Sequence, residues 1–386
     1  MTTVLDTLPD LESAGAGATA REIAQQPDLW AAVAGIVADR RTDLDAFLRP
    51  LLARPELRIV LTGAGTSAFA GQVVAPALSR RLHRVVEAVA TTDIVSAPRE
   101  CFAADVPTLL VSFARSGDSP ESVAATQLAD QCLTEVHHLV VTCNADGRLA
   151  RDHAAADRSL VLGMPAASND RGFAMTSSFT CMVLGTWLAL AGDLPGDGVD
   201  RLVAAGRKVV AQAGPVADAL AATGPRSVVY LGSGSLKGLA EESALKLLEL
   251  TTGAITVTSD SPLGFRHGPK AVLDARTVVV VYLSTDRHTR AYDLDLVREL
   301  RAQLGAGQVH VVDGDDEPDP TTPGPRFAVP GVDDLGDVLL AVAAAPVPQL
   351  IGLACSLAAG RTPDNPFPDG EVNRVVQGVT VHPLAD

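Results

Sequence analysis

Residues 57–71 read LRIVLTGAGTSAFAG: a short apolar run, a glycine-rich bend, and a segment spaced for a helix. An apolar run without polar alternation suits a parallel strand covered on both faces. The bend behind it aims backbone N–H groups and the positive end of a helix at an anion. Residues 228–235, VVYLGSGS, repeat the event further along the chain. The two first glycines, Gly63 and Gly232, stand about one domain length apart. Around these bends β-rich runs alternate with helical segments. Strands are expected at 57–61, 84–89, 108–113, 137–142 and 159–162, then at 228–231, 255–257, 277–283, 309–312 and 326–329. This alternation predicts an α/β protein with two related doubly wound parallel-sheet domains, each a three-layer α/β/α arrangement.

The expected boundaries are an N-terminal arm and helices over 1–52, a first domain over 53–195, a second over 196–360, and an irregular tail over 361–386. Residues 1–16 read as a loose arm, and the helical spacing from 19 to 52 is broken at Pro27. Residues 313–325, DGDDEPDPTTPGP, read as an acidic surface loop. The most apolar stretch, 338–359, carries Pro346, Pro348 and Gln349, so a buried helix pair is expected there and not a membrane span.

The chain has 386 residues and a net charge of −15, which argues against binding nucleic acid, because a phosphate backbone would be repelled over most of the surface. Hydrophobic residues at 47% give it ample material for a core. The first residues, MTTVLDTLPD, lack a basic and an apolar region, so no signal peptide is expected. Five cysteines without a CxxC pair read as reduced thiols of a cytoplasmic protein. The eight histidines are dispersed, with His137 and His138 pointing to opposite faces of a strand, and no G-x-x-x-x-G-K-[ST] loop occurs. Neither a metal nor a cofactor is expected.

Three segments carry chemistry. In the first bend, Gly65, Thr66 and Ser67 can bond phosphate oxygens. The same letters also fit a dinucleotide fingerprint with Glu87 as the ribose acid, or plain helix caps. The second segment, SFARSGDSPES at 112–122, follows the third strand. Ser119 and Pro120 start a helix there, and Arg115 and Ser116 add a cation and a hydroxyl. Two hydroxyl-bearing loops at carboxyl ends of strands suit one compact phosphate better than a pyrophosphate. The third is LAEESALKLLEL at 239–250, where Glu242, Lys246 and Glu249 share a helix face. A solvent-exposed ion-pair ladder has the same spacing. His267 follows in SPLGFRHGPK, a segment with too many breakers for a helix or strand.

With GAGTSA, SFARSGDSPES, ESALKLLELT, DSPLGFRHGPK, TRAYDLDL and NRVVQGVTVHP together, the sequence resembles the sugar isomerase (SIS) domain family. It is similar to the isomerase half of glutamine–fructose-6-phosphate aminotransferase. It is closer to the tagatose-6-phosphate ketose/aldose isomerase family, whose members are also described as galactosamine-6-phosphate deaminases. The resemblance implies a hexose or amino-hexose 6-phosphate substrate held by Thr66, Ser67, Ser116 and Ser119, with Arg115 at the neighbouring loop position. It implies Glu249 as the base between C1 and C2, Lys246 beside it, His267 as the ring-opening group, and Phe173 and Met175 near the sugar. It also implies a homodimer or dimer of dimers, because the histidine of the aminotransferase relatives comes from the partner subunit.

Two positions depart from the relatives: Ala114 stands where they have serine, and Gln377 where the aminotransferase has lysine. No glutaminase domain or N-terminal cysteine is present, so isomerisation or deamination fits better than synthesis from glutamine. A non-catalytic sugar-phosphate sensor and an NAD(P)-dependent oxidoreductase are the alternatives.

Overall fold

The computed structural model describes residues 8–376 and 378–385; the departure at Gln377 therefore lies outside the described residues. Contacts divide the chain into two compact units. The first comprises Ala32–Asn169, Ser178–Asp193 and the chain from Gly370; the second comprises the chain up to Ala31, Asp170–Ser177 and Leu194–Asp369.

The first unit is built on five parallel strands, β1 (Arg58–Gly63), β2 (Val86–Ala90), β3 (Thr108–Ala114), β4 (Val136–Thr142) and β5 (Ser159–Gly163), in the order β2-β1-β3-β4-β5. The second repeats this with β6 (Ser227–Leu231), β7 (Thr256–Asp260), β8 (Thr277–Tyr282), β9 (Val309–Asp313) and β10 (Arg326–Ala328), ordered β10-β9-β8-β6-β7. Both are doubly wound sheets of the expected class. Every residue of the interior strands β3 (TLLVSFA) and β8 (TVVVVY) is buried, which is why their sequences are mostly apolar with no polar alternation. Each fully buried Val or Leu there contributes roughly 1.5–3 kcal/mol.

Boundaries moved where strands lie at sheet edges. The strand expected at 255–257 runs Thr256–Asp260 (TVTSD), because an edge strand tolerates polar residues that an apolar pattern does not register. The N-terminal region also holds more helix than expected, since Leu8–Ser13 is helical within the supposed arm. The break expected at Pro27 falls between Ala24 and Gln26, with Pro27 in the first turn of the next helix, where its missing N–H costs nothing. In the second unit Trp30 is fully buried on helix Gly198–Ala222. A Cβ at Gly206 would lie 2.1 Å from the indole, so that seat requires glycine.

The apolar stretch forms helices Asp337–Ala344 and Pro346–Ala358, nearly all of it buried inside the second unit. All five cysteines are unbridged. The described tail from Gly370 has no helix or strand, and its Leu384 packs on the first unit's core beside Ile94 and Phe102.

Four helices follow the strands that matter for function: α1 (Thr66–Leu82) after β1, α2 (Pro120–Cys132) after β3, α3 (Ser235–Leu250) after β6, and α4 (Arg287–Leu304) after β8. In each sheet the strand order reverses between the two strands that feed these helices. Ligands of open α/β sheets bind in the crevice at that point.

Candidate active site

In the first unit β1 and β3 are hydrogen-bonded neighbours, with Thr62 opposite Ser112, so the loops that leave them start side by side. The turn after β1 is set by two glycines. A Cβ on Gly63 would lie 2.5 Å from the backbone of Ser67, and Gly65 sits at φ 54°, ψ −126°, a region open to glycine. Thr66 and Ser67 begin α1 and are only 3% and 5% exposed. Neither hydroxyl takes a hydrogen-bond partner among the described residues, which leaves both available to a ligand.

The loop after β3 is held from below. Asn144 Nδ2 donates to the Ser116 carbonyl at 2.8 Å, and Arg148 N donates to Asp118 Oδ1 at 2.9 Å. Gly117 has φ 72° and packs against Gly147, where a Cβ would lie 2.3 Å from the Ser116 oxygen. Ser116 Oγ accepts the Asp118 N–H at 3.3 Å, and Ser119 donates to Glu121 at 2.7 Å. The guanidinium of Arg115 is buried and donates to the Arg374 carbonyl of the tail at 2.6 Å. Asn144, Gly147 and Arg148 escaped the sequence reading because each acts through a loop about thirty residues away. The acid required by a dinucleotide reading is misplaced: Glu87 is the second residue of β2, tied to Arg58 Nε at 2.5 Å, and not at the strand's carboxyl end.

In the second unit the charged row of α3 is buried, not a surface ladder. Lys246 is 1% exposed, with its Nζ 2.6 Å from Glu249 and 3.6 Å from Glu242. A buried ammonium costs several kcal/mol unless it is paired, and here two carboxylates share it. Glu242 is buried as well, whereas the Glu249 side chain keeps 23% exposure. One carboxylate of the row therefore faces outward with a cation fixed beside it. Ser243 on the same helix bonds the Tyr282 hydroxyl at 2.7 Å, and burial pushes that phenol upward, so it stays neutral.

His267 is exposed on the loop between β7 and β8. Ser261 caps its first turn by accepting Gly264 N–H at 3.1 Å, and Phe265 plugs fully into the core. Phe173 is buried against Phe367, ring centroids 5.2 Å apart, while Met175 is half-buried. Their segment is held by Glu22, which accepts the N–H groups of Arg171 at 2.5 Å and Gly172 at 3.1 Å. Burial, reinforced by Asp170, pushes the Glu22 carboxyl up to about 7. Among the described residues no group of three or more His, Cys, Asp and Glu is arranged to hold a metal ion.

The SIS domain family matches residues 51–191. An AgaS protein of Streptomyces coelicolor is 59% identical over 388 residues, with all of both chains covered. D-galactosamine-6-phosphate deaminase AgaS of Escherichia coli is 43% identical, covering 95% of each chain. The crystal structure of tagatose-6-phosphate ketose/aldose isomerase from Escherichia coli superposes with a TM-score of 0.85 at 40% identity, covering 95% of this chain and 96% of that one.

Proposed function

The chain belongs to the family of SIS-domain proteins that includes D-galactosamine-6-phosphate deaminase AgaS, and on that premise we propose that it converts D-galactosamine 6-phosphate and water to tagatose 6-phosphate and ammonia. Thr66, Ser67, Ser116 and Ser119 bind the phosphate, with the N–H groups of the Gly65 turn. That remote binding energy orients C1 and C2. His267 transfers the proton that opens the sugar ring. Glu249 takes the C2 proton and returns one to C1 through an enolamine, while Lys246 stabilises charge on the adjacent oxygen. Water adds to the resulting C2 imine, and ammonia leaves. The observation that carries this reading is the buried Glu242–Lys246–Glu249 row, in which Glu249 alone reaches solvent.

Aldose–ketose isomerisation without loss of nitrogen is the second reading, favoured by the likeness to the Escherichia coli isomerase. We place the protein in the cytoplasm as a homodimer or dimer of dimers. The unbridged cysteines support the first, and the exposed apolar Leu248 and Leu263, beside Glu249 and on the His267 loop, support the second.

The test is incubation with galactosamine 6-phosphate, glucosamine 6-phosphate and tagatose 6-phosphate, following ammonia and ketose together. Equal yields of the two from galactosamine 6-phosphate mark the deaminase, and aldose–ketose exchange without ammonia marks the isomerase. Binding without turnover marks a sensor. Glu249→Gln is expected to lower kcat by roughly 10²–10⁴; near-normal turnover in that variant removes Glu249 from the role.

A further inference from the structure

An exposed imidazole has no packing of its own to fix it, so the position of His267 depends on its backbone. Upstream the loop is anchored by Phe265 in the core. Downstream, Gly268 stands at φ 127° followed by Pro269, a bend that gives no side-chain purchase. The residues flanking the histidine, Arg266 and Lys270, both reach Glu299 on α4. Arg266 Nε and Nη2 lie 2.9 and 2.8 Å from Glu299 Oε2, and the Lys270 ammonium bonds Oε1. One carboxylate thus uses each oxygen on a cation from a different side of His267. We propose that Glu299 is a positioning residue, clamping the loop so that His267 is held ready for ring opening.

This inference rests on the reading of His267 as the ring-opening group. The clamp is internal to one chain, so it serves whether the histidine works in its own site or in that of a second copy. Lys270 holds the Glu299 carboxyl below its usual range, with Arg266 adding to the effect, which keeps the clamp ionised at neutral pH. Both ion pairs are partly exposed, so they add little to global stability. Their effect lies in geometry: a small misplacement of a reacting group lowers rate far more than it lowers stability.

The experiment compares two substrates in the presence of ammonium: tagatose 6-phosphate, which must open, and 5-deoxytagatose 6-phosphate, which lacks the hydroxyl that closes the ring. Glu299→Gln is expected to cut kcat/KM about tenfold on the closing substrate and to leave the open one near wild type. His267→Asn should show the same pattern more strongly. If His267→Asn turns over the closing substrate normally, the ring-opening reading falls and this inference with it. If His267→Asn fails on that substrate while Glu299→Gln does not, the clamp alone is overturned. Equal losses on both substrates in Glu299→Gln also overturn it, since they mark general damage.

Discussion

The chain makes the same strand–turn–helix twice and furnishes it differently. Gly65 and Gly234 have nearly the same backbone, φ 54°, ψ −126° and φ 55°, ψ −124°. A Cβ on Gly63 or Gly232 would strike the first turn of the helix at 2.5 or 2.3 Å. In the first unit the position after Thr66 is Ser67, with a free hydroxyl; in the second the matching residue is Leu236, fully buried. The loop donors diverge as well. In the second unit Ser233 Oγ and Ser284 N–H donate to Asp293 at 2.7 and 3.0 Å, while Ser284 Oγ and Thr285 N–H donate to Asp337 at 2.6 and 2.7 Å. Groups of the kind that stand open to an anion in one unit are met in the other by the chain's own carboxylates. Backbone shape supplies a cradle, and side chains decide whether it is vacant or filled.

The strongest way to break this comparison is to strip the open turn. Hydrogen bonds to a charged group are worth about 1.5–3 kcal/mol each. Thr66→Val with Ser67→Ala should therefore weaken binding of a hexose 6-phosphate by roughly 10²–10⁴, as read by calorimetry. An unchanged affinity would sink the assignment of that turn.

The filled turn offers the next test. Burial pushes the Asp293 carboxyl up to about 6, against the opposing hydrogen bonds from Ser233 and Ser284. The unfolded chain titrates lower, near 3.9, so the folded state holds the extra proton between about pH 4 and 6. Stability from this group is full below pH 4 and is lost as pH rises through 6. Asp293→Asn cannot titrate, and its amide can still meet both partners. It should flatten that fall, on the order of 2–3 kcal/mol, in urea titrations across this range; an unaltered pH profile contradicts the account.

The smallest expected effect is at Ala114, the last residue of β3. Ala114→Ser adds one hydroxyl beside the open loop and should tighten phosphosugar binding by about 1 kcal/mol at most. A larger gain would mean that the present cradle is poorly filled.

Much of this was legible in residues alone, and the reason differs from feature to feature. The doubly wound sheets could be read because interior strands such as β3 and β8 are buried on both faces and carry that burial in their letters. The turn glycines could be read because few other residues take their backbone. The burial of Lys246 could not, since an i, i+4, i+7 charge row looks the same in water or in a core. The Glu299 clamp and the Asp293 and Asp337 fillers join residues brought together by crossover connections, which local spacing does not encode. Arg115 was expected among the phosphate ligands from its place in the loop; its use on a tail carbonyl depends on a partner 259 residues away.

That last distance has a temporal side. At about 5–20 residues per second on the ribosome, the carbonyl of Arg374 emerges on the order of ten to fifty seconds after Arg115. All five strands of the first sheet are made before residue 164, so that sheet can assemble long before this bond to the tail can form. The bond between the loop after β3 and the tail is therefore a late addition to a sheet that is already complete.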